Sequence, residues 1–500
     1  MAVESVIACL KASAQNFPEK TAFADKDRAL TYEELLRTAR SIGSVVSSYG
    51  LRCPVAVFMD KTAEAAAAFL GVVYGGCFYC PLDSRMPVQR LMTILSVLRP
   101  VLMITSRELE GRARELGYSG PIRCFEEISQ APDKGRELDA IADGIDREDP
   151  LYVLFTSGST GVPKGVLVSE GVVLNYLEWL EESFSFTHRD VFGNQAPLYF
   201  DVSVHDIYGA LYFGARMEIL PPSYFSFPVK LVDYMQERGV TAFLWVPSAM
   251  GIMANLDVFS FGVPEKLRYV MFAGEVLPEK VLDYWLEHVP GAVYANLYGP
   301  TETFVCTAYV MGEEEKEARL RKEITGLLPI GRPIKDSQAI VLDEHLLPVK
   351  EGEAGELYMG GSCLALGYYR DEQRTAESFA GSPRLYRTGD MVRWNEKGEL
   401  CYLSRRDDQI KHMGYRIELG EIEAAALGME GISACACIYD EKKKRLILCY
   451  AGREQEKKEL EKALADKLPA YMMPGHFRYF PVLPQNANGK LDRKELRRML

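Results

Sequence analysis

The most restrictive feature of this chain is a change of scale in its hydrophobic pattern near residue 405. Before it, short apolar runs of strand type (Val55–Phe58, Val101–Ile104, Leu151–Phe155) alternate with longer helix-period segments such as Ala63–Tyr74 and Glu279–His288. Parallel strands need connections long enough to cross the sheet, so this alternation predicts parallel and mixed sheets with crossover helices. After Arg405-Arg-Asp-Asp408 the pattern restarts in smaller units. A helix is expected over Glu418–Met429, strands over Ile432–Tyr439 and Leu446–Tyr450, and a second helix over Glu454–Leu468. The 500 residues thus divide into a large N-terminal domain of mixed α/β class, 1–406, and a small mobile αβ domain, 407–500. The charged stretch between them suits a hinge.

Charge and cysteine usage exclude several classes of function. A formal net charge of -12 argues against a general nucleic-acid binder, whose phosphate contacts would need a basic face. The N-terminus has no basic start and carries Glu4 in its only apolar run, unlike a secretory signal. No 18-residue apolar stretch suggests membrane insertion. Eleven scattered cysteines fit reduced thiols in a cytoplasmic protein. Cys77-Phe-Tyr-Cys80 has the spacing of a redox or metal pair, but its strand-like neighbours point to core cysteines. The charged run Glu313–Lys322 reads as a solvated loop or helix face. The basic groups Lys442–Arg445 and Arg493–Arg498 read as a solvated turn and a terminal helix, or as a face for an acidic protein partner.

The strongest local signal is Thr156-Ser-Gly-Ser-Thr-Gly-Val-Pro-Lys-Gly165, directly after the apolar run Leu151–Phe155. Its glycines allow close backbone approach, and its hydroxyls and Lys164 offer donors to phosphate oxygens. Only two residues separate Gly161 from Lys164, so it is not a Walker loop but a phosphate loop of another kind.

With this loop, a series of further motifs resembles the adenylate-forming enzymes: acyl-CoA synthetases, luciferases and the adenylation domains of nonribosomal peptide synthesis. The motifs are Phe200-Asp-Val-Ser203, Asn296-Leu-Tyr-Gly-Pro-Thr-Glu302, Gly355-Glu-Leu-Tyr358, Tyr386-Arg-Thr-Gly-Asp390, Arg405-Arg-Asp-Asp-Gln409, Gly414-Tyr-Arg-Ile-Glu-Leu-Gly-Glu-Ile-Glu423 and Asn488-Gly-Lys-Leu-Asp-Arg493. The likeness runs from Leu30-Thr-Tyr-Glu-Glu-Leu35 to the end of the chain. It implies ATP and Mg²⁺ as cofactors and an acyl-adenylate as intermediate.

The resemblance also assigns roles. Lys490 would bridge the substrate carboxylate and the α-phosphate, whose mutual repulsion is the main obstacle. Glu302 would help hold Mg²⁺. Thr156, Ser157, Gly158, Ser159, Thr160, Gly161, Lys164 and Thr301 would contact phosphate. Asp390 would accept from the ribose hydroxyls with Arg405 nearby, and Tyr298 would flank the adenine. Glu275 would lie on the adenine side, with Asn296 and Gly299 in the same nucleotide site. Asp407 matches the hinge about which the small domain swings between adenylation and thiol transfer. In the second state Gly414 would line the tunnel for a pantetheine arm.

Asp201 aligns with the aspartate that pairs with the α-ammonium in amino-acid-activating members, and it moves the reading from any carboxylic acid to an amino acid. The remaining wall would be Val202, His205, Leu244, Met271, Ala273, Leu297, Val305 and Cys306, which favours an apolar or aromatic side chain. His205 is either a hydrogen-bonding tip contact or neutral packing. The segments Asn194–Ser203 and Ala273–Pro278 resemble D-alanine–carrier protein ligases, which place Cys where this chain has Ala273. Met413 stands where the family more often has a basic residue. An acyl- or aryl-CoA synthetase is the alternative that Asp201 disfavours. An aminoacyl-tRNA synthetase would need HIGH-like and KMSKS-like segments, which the sequence lacks. No carrier attachment segment is present, so the phosphopantetheinylated carrier would be a separate protein and the enzyme a monomer.

Overall fold

A strand buried at every position cannot lie on a sheet with one wet face. In the computed structural model, which describes residues 3–158, 162–406, 409–441, 443–484 and 491–500, Pro54–Phe58 and Phe78–Leu82 are such strands. They occupy the middle of a seven-stranded sheet. Its order is Gly367–Tyr368, Lys164–Ser169, Pro150–Thr156, Phe78–Leu82, Pro54–Phe58, Leu102–Thr105 and Ile122–Cys124. Helix Ala63–Tyr74, buried along its whole length, packs with both sheets of the large domain in one core.

The second sheet has nine strands, and its central strands Val293–Tyr298, Tyr269–Ala273, Ala242–Trp245, Val191–Asn194, Arg216–Ile219 and Thr21–Ala24 run parallel. Alternation along them divides the side chains between two cores. Leu244, Met271 and Leu297 join the core shared with the seven-stranded sheet, whereas Phe243, Trp245 and Phe272 face helices on the far side. A third, five-stranded sheet carries the long strand Leu385–Trp394.

The small domain has the strands Ile432–Asp440, Arg445–Gly452 and His476–Tyr479, with helices Leu419–Leu427 and Lys457–Ala465. A separate hairpin, Gln409–His412 with Tyr415–Glu418, reaches from it onto the large domain.

Three expectations change. The helix expected from Glu418 starts at Leu419, because Glu418 ends the hairpin strand opposite Gln409. The helix expected over Glu454–Leu468 forms over Lys457–Ala465. The charged run at 313 is a helix, Glu313–Leu320, but not a wholly solvated one. Lys316 and Arg319 are buried, held by Glu313 at 2.8 Å and Glu315 at 2.9 Å. Cys77 and Cys80 are unpaired core residues, and no described helix is long and apolar enough to cross a membrane.

Candidate adenylation site

The phosphate-type loop is a hairpin turn. Strands Pro150–Thr156 and Lys164–Ser169 pair antiparallel with Thr156 opposite Lys164, so both ends of the loop are clamped by the sheet. A Cβ on Gly158 would come within 2.1 Å of the Val162 carbonyl, which keeps that position glycine. Ser159, Thr160, Gly161, Asp407 and Lys490 lie outside the described residues.

Glu302 stands beside this loop and is fully buried. Its Oε1 accepts from the Tyr368 hydroxyl at 2.7 Å and lies 3.5 Å from Lys164 Nζ. Its Oε2 accepts from Arg416 Nη1 of the small-domain hairpin at 2.5 Å. Burial alone would push this carboxyl up, but the Arg416 and Lys164 cations outweigh it and hold Glu302 well below the usual carboxylate range. Burial lowers Lys164, and the Arg416 charge lowers it further.

Among the described residues no group of three or more His, Cys, Asp or Glu is arranged to hold a metal ion. A lone buried carboxylate beside a phosphate loop fits Mg²⁺, which takes most of its ligands from phosphate and water. Thr156 Oγ1, buried without a hydrogen-bond partner, is a spare oxygen at the same place.

On the nucleotide side, Asp390 accepts from the Tyr298 hydroxyl at 2.5 Å and from Arg405 Nη1 at 3.0 Å. Sheet register puts Arg405 directly opposite Asp390. Two residues expected here also serve the backbone. Asn296 donates to the Pro329 carbonyl at 2.8 Å, and a Cβ on Gly299 would lie 1.5 Å from the Phe304 carbonyl. Glu275 is engaged by Ser248 on one oxygen and, on the other, by the Gly414 amide at 2.9 Å.

Asp201 caps helix Val202–Phe213, accepting from the Val202 amide at 2.8 Å and hydrogen-bonding Thr301. Burial raises its carboxyl, opposed by the Thr301 hydrogen bond. Leu244, Met271, Ala273, Leu297 and Val305 share one apolar cluster, with Val202 packed against it. Cys306 falls in a different cluster, with Tyr298 and Val392. His205 has no exposed surface, and its Nδ1 is 2.7 Å from the Tyr176 hydroxyl. Burial pushes its pKa down to about 3, so the ring is neutral.

Two residues of the hairpin escaped sequence reasoning as site components. Arg416 sits on Glu302, and Lys411 is buried with Asp390 and Asp201 for company, 5.7 Å from the centre of the Tyr298 ring. Each lies in or beside a quoted motif, and a cation set among the glycine and acidic positions of that motif was the available signal. Beside the hairpin tip opens a cavity of about 530 Å³, lined by Lys61, Phe200, Val246, Met413 and Gly414 among others.

A family profile described as AMP-binding enzyme matches residues 10–369, and one described as AMP-binding enzyme C-terminal domain matches 421–490. L-proline--[L-prolyl-carrier protein] ligase of Streptomyces coelicolor is 33% identical over 525 residues, covering 99% of this chain and 96% of the relative. Tyrocidine synthase 1 of Brevibacillus parabrevis is 31% identical over 99% of this chain and 45% of its own length. The chain spans only 18% of Vanchrobactin synthetase VabF of Vibrio anguillarum, at 32% identity over 97% of this chain. Among solved structures, the Vibrio cholerae adenylation domain AlmE in complex with glycyl-adenosine-5'-phosphate superposes with TM-score 0.86 at 23% identity, covering 100% and 98% of the two chains. Holo-PA1221, a nonribosomal peptide synthetase protein with adenylation and carrier domains, gives TM-score 0.85 at 25% identity over 99% and 84%.

Proposed function

As this chain belongs to the AMP-binding enzyme family, we propose that it activates an apolar amino acid as its aminoacyl-adenylate and passes it to the thiol of a separate phosphopantetheinylated carrier protein. L-proline is the first candidate. The observation that carries the reading is Asp201, a carboxylate at the N-terminal cap of helix Val202–Phe213, where Val202 packs against the apolar cluster of Leu244, Met271 and Leu297. Burial raises this carboxyl and a nearby cation relieves it: Lys411 does so in this structure, and an α-ammonium would do so in the complex.

In the first step a substrate carboxylate oxygen attacks the α-phosphorus. The new O–P bond forms as the bond to the β-phosphate bridge breaks, and pyrophosphate leaves. Ser157 and Lys164 offer donor and charge to the phosphates, and Lys490 is assigned to the two meeting anions. Mg²⁺, carried in on the triphosphate, would neutralise charge beside Glu302. Asp390 and Tyr298 are assigned to the ribose and adenine. In the second step the thiol sulfur attacks the acyl carbon, a C–S bond forms, the C–O bond to AMP breaks, and the thiol proton goes to solvent. The cavity between Phe200, Val246 and Gly414 is the route for the arm. The small domain, taken as 407–500 with Asp407 as hinge, swings between the two steps.

The choice of L-proline draws on the relative from Streptomyces coelicolor. The assay is amino-acid-dependent ATP–pyrophosphate exchange with L-proline, D-alanine, L-phenylalanine and simple acyl and aryl acids. Strongest exchange with L-proline, lost in Asp201→Ala, is the expected result. Exchange confined to acids without an α-amine overturns the assignment of Asp201, and preference for D-alanine replaces the proposed substrate.

A further inference from the structure

A second cavity, of about 390 Å³, opens in the large domain at the end of the Pro150–Thr156/Lys164–Ser169 hairpin opposite the phosphate-type loop. Pro150 pairs with Ser169 at this end and Thr156 with Lys164 at the other, a separation of about 20 Å along the strand. The walls include Val73, Ile141, Ile145 and Pro150. None of the lining residues belongs to the groups assigned to ATP or the amino acid. Leu51 and Arg52, both exposed, mark the mouth.

Glu170, at the start of helix Glu170–Ser183, lines this cavity and has no exposed surface. Its Oε2 accepts from the Val6 amide at 2.8 Å, whereas its Oε1 has no hydrogen-bond partner among the described residues. A buried carboxyl oxygen left unmet carries a desolvation cost that a ligand donor would relieve. Asp149, also in the lining, is paired with Arg52, which lies 4.0 Å from Asp146 as well. The guanidinium is thus engaged by two aspartates, and Glu170 is left to meet whatever enters.

We propose that this cavity is a second ligand site, which takes an organic ammonium ion with a short hydrocarbon or aromatic body. The ammonium donates to Glu170 Oε1, and the body lies against Val73, Ile141 and Ile145. A cavity of this size, with largely apolar walls and one polar group for orientation, is of the kind that holds small ligands. An anion would meet Asp149 and Glu170, and an uncharged hydrocarbon would leave Oε1 unmet.

Binding is linked to proton release. Burial pushes the Glu170 pKa up to about 8, with the Val6 amide opposing and the Asp149 charge reinforcing the shift. Cys9, Tyr79 and Tyr208 face the same carboxyl from three other elements, and none of these is a cation. Cys77 lines the cavity too, with its thiol donating to the Gly50 carbonyl at 3.2 Å. Below the raised pKa the free carboxyl therefore holds a proton, which leaves to solvent as the ammonium arrives. One cation enters as one proton departs, so the buried charge stays balanced.

The test is calorimetry with phenethylamine on the full chain carrying Asp201→Ala, so that the proposed amino-acid site does not contribute. Affinity should rise about 50-fold from pH 6 to pH 8, the ratio of ionised Glu170 in the free protein at those values. At pH 6 about one proton should be released per amine bound, read from titrations in two buffers of different ionisation enthalpy. Glu170→Gln, which can still accept from the Val6 amide, should bind about tenfold or more weakly at pH 8 and lose the pH dependence. Ala140→Trp, at an exposed lining position, should block binding without altering the melting temperature. Affinity that is independent of pH and equal in Glu170→Gln overturns the proposal. Equal affinity for the uncharged phenethyl alcohol, or no binding of the amine at either pH, overturns it as well.

Discussion

Arg90, on helix Val88–Leu98 of the large domain, pairs with Glu421 of the small domain, and the two side chains are 5% and 4% exposed. Replacing Arg90 by Met keeps the apolar stem volume and strands Glu421 in a buried interface. Breaking one side of such a pair costs about 3–5 kcal/mol. The cost falls only on the seated arrangement, since a small domain that swings away returns Glu421 to water. Single-turnover transfer from preformed adenylate should therefore drop on the order of 100- to 1000-fold or more, while ATP–pyrophosphate exchange stays near wild type. Two controls separate this from misfolding. In Arg90→Met the stranded Glu421 carboxyl favours its neutral form, so the seated state binds a proton and transfer should recover as pH falls from 8 to 6. The double variant R90M/E421M replaces the ion pair by apolar contact and should restore most of the rate. Equal loss of exchange and transfer in R90M, or no recovery in the double variant, refutes the argument.

Three further outcomes follow from buried groups. Glu170 is fully buried, with Oε2 accepting from the Val6 amide, and burial pushes its pKa up to about 8 from an ordinary value near 4.5. The folded state then holds a proton that the unfolded state has released, so this residue alone makes stability fall by up to about 1.4 kcal/mol per pH unit between those values. Glu170→Gln should flatten the melting-temperature profile over that window, and an unchanged slope counts against the buried acid. His205→Ala should admit larger side chains in the exchange assay and cost about 1–3 kcal/mol by orphaning the Tyr176 hydroxyl, read as a lower urea midpoint. Gly299→Ala, whose Cβ would meet the Phe304 carbonyl at 1.5 Å, should destabilise the fold by about 3 kcal/mol, measured the same way.

The parts of the molecule legible in the sequence are those fixed by local patterning. Helices Ala63–Tyr74 and Glu279–His288 form over the residues their periodicity marks. The first is legible because it is apolar all round, the second because one face is polar. Glu418 misled because its helix-like sequence continues a strand whose partner, Gln409, sits across a tight turn with Met413 and Gly414 at positive φ. Lys316 and Arg319 look solvated in sequence, and the nearby glutamates with the Ala292 and Gly326 carbonyls make their burial tolerable. At the site, Asp390 with Arg405 and Glu302 with Lys164 came out of motif order. The positions of Arg416 and Lys411 did not, because which large-domain group meets the hairpin depends on how two domains sit together. Asn296 and Gly299 have backbone roles that motif order did not reveal.

Lys411 has a kinetic consequence. Its ammonium, lowered by burial, is near enough to Asp390 and Asp201 for both charges to raise it, beside the residues assigned to ribose and amino acid. An incoming ligand meets an occupied compartment and gains access only in the fraction of molecules whose hairpin has withdrawn, so its apparent affinity is scaled down by that fraction. Observed association rates should consequently level off at the withdrawal rate as ligand concentration rises, instead of climbing linearly. A side chain that fills the empty chamber thus sets the tempo at which the chamber can be used.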